Sequence, residues 1–183
     1  MKILVVDIET TGFLCDGGRI VELGAVSLDM GTGDRKIVYD KIFNPGIERE
    51  ELEKSWIVSK GYMAADLILA GLKFDDERAE IQTLINEHDG VTAFNRNFDI
   101  PFLEVYGIKF AKLMPCPMLL STPICKIPGR RGGYKWPKAE EAYKHFFPES
   151  EYIEAHRGAD DAMHEAEIIY AMHTNGQYLE ALI

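Results

Sequence analysis

Two acidic residues that follow an aliphatic run constrain this chain more than any other feature. Residues 3–6 are Ile-Leu-Val-Val, a pattern typical of a strand that is buried on both faces. Asp7 and Glu9 come next, and because the side chains of a strand alternate between its faces, both carboxylates lie on the same side. Two like charges against an apolar wall repel each other unless a cation lies between them. The alternative is a solvated strand end that carries two acids by chance.

The overall charge argues against a broad basic surface for nucleic acid. The chain has 20 basic and 30 acidic residues, which gives a formal net charge of −10. A metal-filled acidic site and one local basic segment would reconcile this charge with a nucleic-acid substrate.

Length, cysteine usage and hydropathy restrict the class of protein to which this chain can belong. The 183 residues suffice for a sizeable core, and we expect a single domain over residues 1–183. Cys15, Cys116 and Cys125 show no CxxC spacing, which predicts reduced thiols that mostly fill the core. No apolar stretch is long enough for a signal peptide or a membrane span, so we expect a cytoplasmic protein without a membrane partner.

Strand and turn patterns predict that the chain begins as an antiparallel meander. Strands are expected over 20–28 and 36–43, joined by the turn residues 30–34, with a short fourth strand over 91–94. One or two short helices are expected over 48–72, and 117–126 forms either a strand or a helix. Further helices are predicted over 74–88, 98–106, 138–147 and 158–174.

Three details of these helices can be tested against coordinates. Asp75 is a candidate cap for the helix over 74–88. Pro101 is tolerable only in a first helical turn, which places Asp99 at the start of its helix. The last helix carries a regular apolar stripe that is predicted to face the core, formed by Ala159, Ala162, Met163, Ala166, Ile169, Tyr170 and His173.

Two further acids lie in distinctive surroundings. Asp99 ends the segment Phe-Asn-Arg-Asn-Phe-Asp, and Asp161 lies five residues after His156. Asp160 is the alternative to Asp161 for any metal role. Glu22 interrupts an apolar strand, where it approaches Asp7 and Glu9, has a structural role or faces the edge of the sheet.

These segments resemble, in order and spacing, the DxETTG, HNxxFD and HxxxxD motifs of the DEDD superfamily of 3′–5′ exonucleases. The resemblance covers roughly residues 2–175. His156 places the chain in the histidine branch, which includes the similar proofreading exonuclease domain of bacterial DNA polymerase III, because the tyrosine branch would need Tyr at the position of Arg157. Phe94 stands where the second motif commonly has His, a departure that concerns substrate contacts rather than metal ligands.

The resemblance implies both a fold and a chemistry. The implied fold is ribonuclease H-like α/β, a mixed sheet of about five strands flanked by helices, of which the first three are antiparallel. The implied cofactors are two divalent ions, Mg²⁺ or Mn²⁺, which take oxygen ligands and can hold the attacking and leaving oxygens of an in-line displacement. The implied catalytic residues are the metal ligands Asp7, Glu9, Asp99 and Asp161, together with His156 as general base.

The implied substrate is the 3′ end of single-stranded DNA or RNA, from which a nucleoside monophosphate is released. The candidate substrate-binding residues are Thr10, Thr11, Gly12, Phe13, Asn95 and Phe98. Phe13 would wedge against a base and Phe98 would pack on the sugar, although both could instead be core residues. Asn95 either binds the penultimate nucleotide or caps a turn.

The segment 126–138 is basic and aromatic. It holds no acid, interleaves Tyr134 and Trp136, and contains the five cations Lys126, Arg130, Arg131, Lys135 and Lys138. Such a composition is suited to holding a single strand without sequence preference. The alternative is a solvated loop whose Trp136 anchors the following helix.

Two other functions remain open at this point. The chain could keep the exonuclease fold without its activity and bind nucleic acid or a protein partner, such as a polymerase that brings the substrate. A phosphatase of the haloacid type also places an acidic pair after an apolar strand, although it would leave the segment around His156 unexplained.

Overall fold

A mixed sheet with the strand order β3-β2-β1-β4 forms the centre of the computed structural model, which describes residues 1–179. The strands are β1 (Lys2–Thr10), β2 (Ile20–Asp29), β3 (Arg35–Ile42) and β4 (Val91–Thr92). β1 pairs antiparallel with β2 and parallel with β4, and β2 pairs antiparallel with β3. The antiparallel meander and the mixed α/β sheet are therefore confirmed, with four strands in residues 1–179 where about five were expected.

Helices flank the sheet. They are α1 (Arg49–Lys54), α2 (Trp56–Ser59), α3 (Ala65–Leu69), α4 (Phe74–Asn86), α5 (Arg96–Val105), α6 (Pro117–Cys125), α7 (Ala139–Phe146) and α8 (Gly158–Thr174). The segment 48–72 thus folds into three short helices rather than one or two, and 117–126 is a helix. Within residues 1–179, no helix has the length and apolar character needed to cross a membrane.

The first turn of α4 differs from the prediction. Lys73, not Asp75, is the residue that precedes the helix, and no side chain caps it. The helix begins at Phe74 because this ring is buried against Phe43, with ring centroids 4.9 Å apart. Asp75 lies inside the first turn, where it forms an ion pair with Arg78.

The position of Pro101 was also predicted wrongly. α5 begins at Arg96, so Pro101 lies in the interior of the helix rather than in its first turn. Because proline has no N–H group, the carbonyl of Asn97 lacks its usual hydrogen-bond donor four residues later. Asn97 is exposed near the start of the helix, so water can donate a hydrogen bond to this carbonyl instead. Asp99 nevertheless lies in the first turn, as expected.

The two faces of β1 contact different parts of the core. Ile3 and Val5 belong to a cluster that includes residues of α8, whereas Leu4 and Val6 pack with residues of α4 and α5. The aliphatic run is thus buried on both faces, as predicted. By alternation, Asp7 and Glu9 share the face of Ile3 and Val5, and both acids therefore face α8.

α8 buries a wider face than its apolar stripe. Within that stripe Ala159, Ala162, Ala166 and Ile169 are buried, whereas Met163, Tyr170 and His173 are only half-buried. The buried face also includes the neighbouring residues Asp161, Glu165, Ile168 and Met172. Two carboxylates therefore lie on the side of the helix that packs against the sheet.

Two glycines allow α8 to start directly against the sheet. A Cβ atom on Gly24 in β2 would lie 2.0 Å from the backbone nitrogen of Ala159. A Cβ atom on Gly158 would lie 2.6 Å from the nitrogen of Gly24 and 3.1 Å from the carbonyl oxygen of Asp7. This backbone contact holds the first turn of α8 beside the acidic part of β1.

Candidate active site

Acidic residues from three separate segments meet at this contact. β1 supplies Asp7 and Glu9, while the first turns of α5 and α8 supply Asp99 and Asp161. The amide of Ile8 donates a hydrogen bond of 3.3 Å to Oδ1 of Asp99, which ties α5 to the middle of the acidic pair. The structure therefore brings the four predicted carboxylates into one neighbourhood.

Burial and mutual repulsion make this neighbourhood electrostatically unfavourable for anions. Burial, followed by the charges of nearby carboxylates, raises the pKa of Asp7 well above its usual value. Burial, followed by the charges of Asp161 and Glu22, raises the pKa of Glu9 to about 9. Burial also raises the pKa of Asp99 to about 7. A cation among these groups would reverse each of these shifts.

Asp7 carries the clearest sign of a missing positive partner. Its Oδ2 atom is buried and has no hydrogen-bond partner in the part of the chain that the structure describes. A buried polar atom without a partner is rare in proteins and costly, because it has lost its hydration. A carboxylate oxygen is a hard ligand, which suits Mg²⁺ or Mn²⁺.

His156 lies at the edge of the acidic cluster. Ligand atoms of Glu9, His156 and Asp161 all lie within 4.8 Å of one another, a spacing that could hold a metal ion. Nδ1 of His156 is 3.8 Å from Oε1 of Glu9. Burial lowers the pKa of the imidazole, which favours the neutral form that a general base requires.

The backbone of His156 is in an uncommon conformation. Its φ of 54° is in the left-handed region, which non-glycine residues seldom adopt. Such strained residues concentrate at functional sites, where the surrounding structure holds them in place. The carboxylates of Asp161 and Glu22 hold the backbone around His156 in this conformation.

Asp161 holds the segment that carries His156. It is only 1% exposed, and its carboxylate accepts hydrogen bonds from the Tyr152 hydroxyl (2.6 Å) and from the amides of Ala155 (3.1 Å) and Arg157 (2.8 Å). The neighbouring Asp160 is exposed, so Asp161 is the acid that faces the cluster.

Glu22 supplies the second constraint and has a structural role. It is fully buried, and its carboxylate binds Arg157 through contacts of 2.9 to 3.2 Å and the amide of Gly158 at 3.3 Å. Glu22 is also the register partner of Glu9 on the neighbouring strand. The pair with Arg157 therefore fixes the start of α8 and the residue after His156 against the sheet.

Sequence patterns missed a fifth carboxylate. Glu165 lies one helical turn after Asp161, is 4% exposed and lines the same cleft as Asp7. Its Oε2 atom accepts a hydrogen bond of 3.2 Å from the amide of Phe94, the residue that departs from the second motif. Among the carboxylates that raise the pKa of Asp7, Glu165 has the largest effect. The i, i+4 spacing from Asp161 was the available signal, because residues so spaced share a helix face.

Three residues that contact His156 were also missed. The rings of Tyr62 and Trp56 pack edge-on against the imidazole, with centroid distances of 4.1 and 4.8 Å. Oε1 of Glu154 lies 4.0 Å from Nδ1 of His156, and burial raises the pKa of Glu154 to about 7. The region 48–72 has no clean apolar stripe, so no sequence signal placed its aromatic residues here.

A cleft of about 850 Å³ opens beside the acidic cluster. Of the predicted site residues, those that line it are Asp7, Glu9, Thr10, Gly12, Phe13, Asn95, Phe98, Asp99 and His156. Thr11 and Asp161 do not line it, and the hydroxyl of Thr11 instead accepts a hydrogen bond from the amide of Arg19.

The predicted substrate-binding residues differ in their exposure and in the contacts that they already make within the protein. Phe13 is exposed and meets Phe98 edge-on at 6.2 Å, whereas Phe98 also packs against the core. Asn95 precedes α5 and is exposed, and its side chain makes no capping hydrogen bond, which removes the capping alternative. Nothing lies within 4 Å of a Cβ atom added to Gly12, so the backbone at that position is open to a ligand.

Comparison with known proteins identifies the family. The sequence profile of the family described as Exonuclease (RNase_T) matches residues 4–169. The chain therefore belongs to this exonuclease family. No curated protein sequence is significantly similar to it.

Solved structures with the same fold are 3′-exonucleases and nucleases of low sequence identity. A 3′-exonuclease that recognises the 3′ end of a histone mRNA stem-loop is 14% identical, with a TM-score of 0.67 over 97% of this chain and 83% of that one. The nuclease domain of 3′hExo, a DEDDh family member bound to rAMP, is 15% identical, with a TM-score of 0.65 over 96% of this chain and 93% of that one. Exonuclease I of E. coli, in complex with a dA16 oligonucleotide, is 13% identical, with a TM-score of 0.67 over 94% of this chain and 41% of that one. These likenesses show a shared fold.

Proposed function

We propose that this protein is a metal-dependent 3′–5′ exonuclease that hydrolyses the terminal phosphodiester bond of single-stranded nucleic acid and releases nucleoside monophosphates. The observation that carries the proposal is that four carboxylates and His156 come together in one region, where a buried oxygen of Asp7 has no hydrogen-bond partner within residues 1–179. Membership in the exonuclease family and the fold shared with 3′-exonucleases support the same assignment.

The cofactor assignment follows from the donor set. Asp7, Glu9, Asp99 and Asp161 would hold two divalent ions, Mg²⁺ or Mn²⁺, because buried acids at this density need positive charge to remain ionised. Such ions, when bound, activate water and neutralise the charge that develops on the phosphate. The remaining chemistry belongs to side chains of the protein.

His156 has the properties of the general base in this reaction. Its neutral imidazole would take a proton from the attacking water, and the nearby carboxylate of Glu9 would stabilise the imidazolium that forms. Tyr62 and Trp56 restrict the ring to one orientation by packing against it. Arg157, which Glu22 holds against the sheet, fixes the backbone that presents the ring.

The walls of the cleft would position the terminal nucleotide. Phe13 offers an exposed ring for a base, and Gly12 leaves its backbone open. Asn95 is exposed and does not cap α5 with its side chain, so its amide can donate to a nucleotide. Thr10 has a more limited role, because its hydroxyl already donates to the carbonyl of Gly12. We assign it to shaping the turn after β1 rather than to direct contact.

Product analysis on labelled strands tests the proposal. DNA and RNA strands labelled at the 3′ or the 5′ end would be incubated with the protein in Mg²⁺ and in EDTA. We expect 5′-labelled strands to shorten one nucleotide at a time and 3′-labelled strands to release a labelled mononucleotide at once, in Mg²⁺ only. Asp7→Asn should abolish release, and Asp160→Asn, at an exposed neighbour of Asp161, is the matched control that should retain it. Activity in purified Asp7→Asn would contradict the assignment.

The alternative of an inactive exonuclease-fold protein makes a different prediction. A pocket without catalytic competence should show no binding of Mg²⁺ at two sites by isothermal titration calorimetry. A single domain over residues 1–183 and a polymerase partner, as in proofreading, remain separate predictions. Co-purification with a polymerase would test the second.

A further inference from the structure

The basic segment that was predicted as a loop folds into a short hairpin. Pro128 and Tyr134 form an antiparallel bridge, and the amide of Lys135 donates to the carbonyl of Ile127 at 2.9 Å. Gly132 and Gly133 close the tip with φ values of 84° and 68°, which side chains rarely adopt. We call residues 127–135 the basic hairpin.

The residue after the hairpin is an exposed tryptophan on a fixed backbone. Trp136 is 64% exposed, while the next residue, Pro137, is buried. The amide of Lys138 donates to Glu141 at 2.9 Å, and the ammonium of Lys135 binds the same carboxylate at 2.6 Å. Pro137, not Trp136, therefore anchors α7, so the anchoring role considered for Trp136 is wrong.

Trp136 lines the cleft that contains the acidic cluster. Of the exposed aromatic side chains in residues 1–179, Phe13, Trp56, Tyr62 and Trp136 all line this cleft, and only Tyr134 does not. Exposed aromatic rings that gather around one cleft in this way indicate a binding surface rather than chance exposure.

The hairpin that leads into Trp136 also carries positive charge without acidic partners in residues 1–179. Lys135 and Lys138 form ion pairs with Glu141 and Glu140. Arg130 and Arg131 at the tip are exposed and form no ion pair with any residue from 1 to 179. In a chain of net charge −10, two exposed guanidinium groups at the tip of the hairpin that leads into Trp136 are suited to contact a polyanion.

We propose that Trp136, together with Arg130 and Arg131 of the basic hairpin, forms a binding site for the part of a single strand that precedes its last two nucleotides. Trp136 stacks on a base of that part, and Arg130 and Arg131 contact its phosphates. The inference rests on the proposed exonuclease function and adds a preference for strands of several nucleotides over dinucleotides. Stacking of this kind is tolerant of sequence, because every base presents a flat face.

Binding as a function of strand length tests this site. Fluorescein-labelled thymidine strands of two, four, eight and twelve nucleotides, with phosphorothioate linkages at the 3′ end to slow hydrolysis, would be titrated in Mg²⁺ by fluorescence anisotropy. Trp136→Ala should weaken binding of the eight-nucleotide strand roughly 5- to 100-fold. The same variant should leave dinucleotide binding unchanged. Tyr134→Ala removes an exposed ring from the same hairpin outside the cleft and should have no effect.

The phosphate contacts are tested separately through the salt dependence. The double variant Arg130→Ala/Arg131→Ala should reduce the slope of log Kd against log salt by about 1.4, because each phosphate contact contributes about 0.7 for single strands. Lys36→Ala, at an exposed position on the edge strand β3, should leave the slope unchanged. An unchanged slope in the arginine variant would refute the phosphate contacts.

A small ester separates this proposal from the exonuclease assignment. Hydrolysis of the nitrophenyl ester of thymidine 5′-monophosphate needs the acidic site but no second nucleotide. We expect the wild type to hydrolyse this ester in Mg²⁺ and to lose this activity in EDTA. If Trp136→Ala bound long strands as wild type does, or lost dinucleotide binding equally, the hairpin site would be refuted. If the wild type hydrolysed neither ester nor strand, the exonuclease assignment would fail instead, whatever the hairpin binds.

Discussion

Replacing Glu9 with Gln should stabilise the metal-free protein at neutral and alkaline pH. Glu9 is 7% exposed, and burial, followed by the charges of Asp161 and Glu22, raises its pKa from 4.5 to about 9. A carboxyl group with a higher pKa in the folded than in the unfolded chain holds its proton more tightly in the folded chain. Its contribution to stability is therefore fully present below pH 4.5 and is lost as the pH rises through about 9.

The size of the effect follows from this interval. At about 1.4 kcal/mol per pKa unit, the interval from 4.5 to pH 8 destabilises the fold by up to about 5 kcal/mol, because the folded chain keeps a proton on Glu9 that the unfolded chain releases. Glutamine removes the charge but keeps a polar group buried, which costs about 1–3 kcal/mol if its amide finds no partner. We therefore expect the free energy of unfolding of Glu9→Gln in EDTA at pH 8 to exceed that of the wild type by about 2–4 kcal/mol. At pH values near 4.5, the unperturbed pKa of Glu9, this gain in the free energy of unfolding should vanish.

Urea denaturation in EDTA, followed by circular dichroism at several pH values, measures this difference. Glu104→Gln, an exposed acid on α5, is the control and should stay within about 0.5 kcal/mol of the wild type at every pH. Added Mg²⁺ should stabilise the wild type more than Glu9→Gln, because the variant has lost a ligand. If Glu9→Gln destabilised the metal-free protein at pH 8, or if its effect did not change with pH, the raised pKa of buried Glu9 would be disproved.

Three further perturbations test separate parts of the site. His156→Ala should lower the rate of nucleotide release roughly 10²–10⁴-fold at saturating Mg²⁺, while metal binding measured by calorimetry persists. Because burial lowers the pKa of His156, the activity of the wild type should fall only at acidic pH. An identical pH–rate profile in the variant would show that His156 is not the base. Gly24→Ala places a Cβ atom 2.0 Å from backbone atoms of α8 and should reduce the free energy of unfolding by about 3 kcal/mol, whereas Gly12→Ala, with open space around its Cβ position, should not. Glu165→Gln removes the carboxylate that has the largest effect on the pKa of Asp7. This variant should bind Mg²⁺ roughly tenfold more weakly in calorimetry, a difference of about 1.4 kcal/mol. Unchanged affinity would show that the charge of Glu165 does not contribute to ion binding.

Local patterns predicted the elements that carry the acids. The helix over 158–174 was predicted with the bounds that the structure has, because a polar start and a regular apolar stripe define it without help from the rest of the chain. The same is true of β1, whose aliphatic residues are buried on both faces, although the strand continues through Asp7 and Glu9 to Thr10. The proximity of Asp99 and Asp161 to this strand came from family resemblance, since no local rule connects residues so distant in sequence.

What the sequence did not reveal depends on packing between distant elements. Glu165 belongs to the site only because Gly24 lets the first turn of α8 lie directly on the sheet. Trp56 and Tyr62 reach His156 through three short helices with no clean periodicity. Each of these contacts is set by the docking of an element, and the periodicity within an element carries no information about where it docks.

Asp161 connects the stability of the site to its chemistry. The hydrogen bonds that it accepts from Tyr152, Ala155 and Arg157 hold the segment on which His156 has its strained backbone. If Asp161 binds a metal ion, as we propose, the oxygen that binds it has fewer lone pairs left for hydrogen bonds, and the ion would act on the segment that carries His156. Glu22 binds the side chain of Arg157 and is not one of the proposed metal ligands, so ion binding would leave this contact in place. The segment that carries His156 is thus held by two carboxylates, of which only Asp161 is a proposed metal ligand.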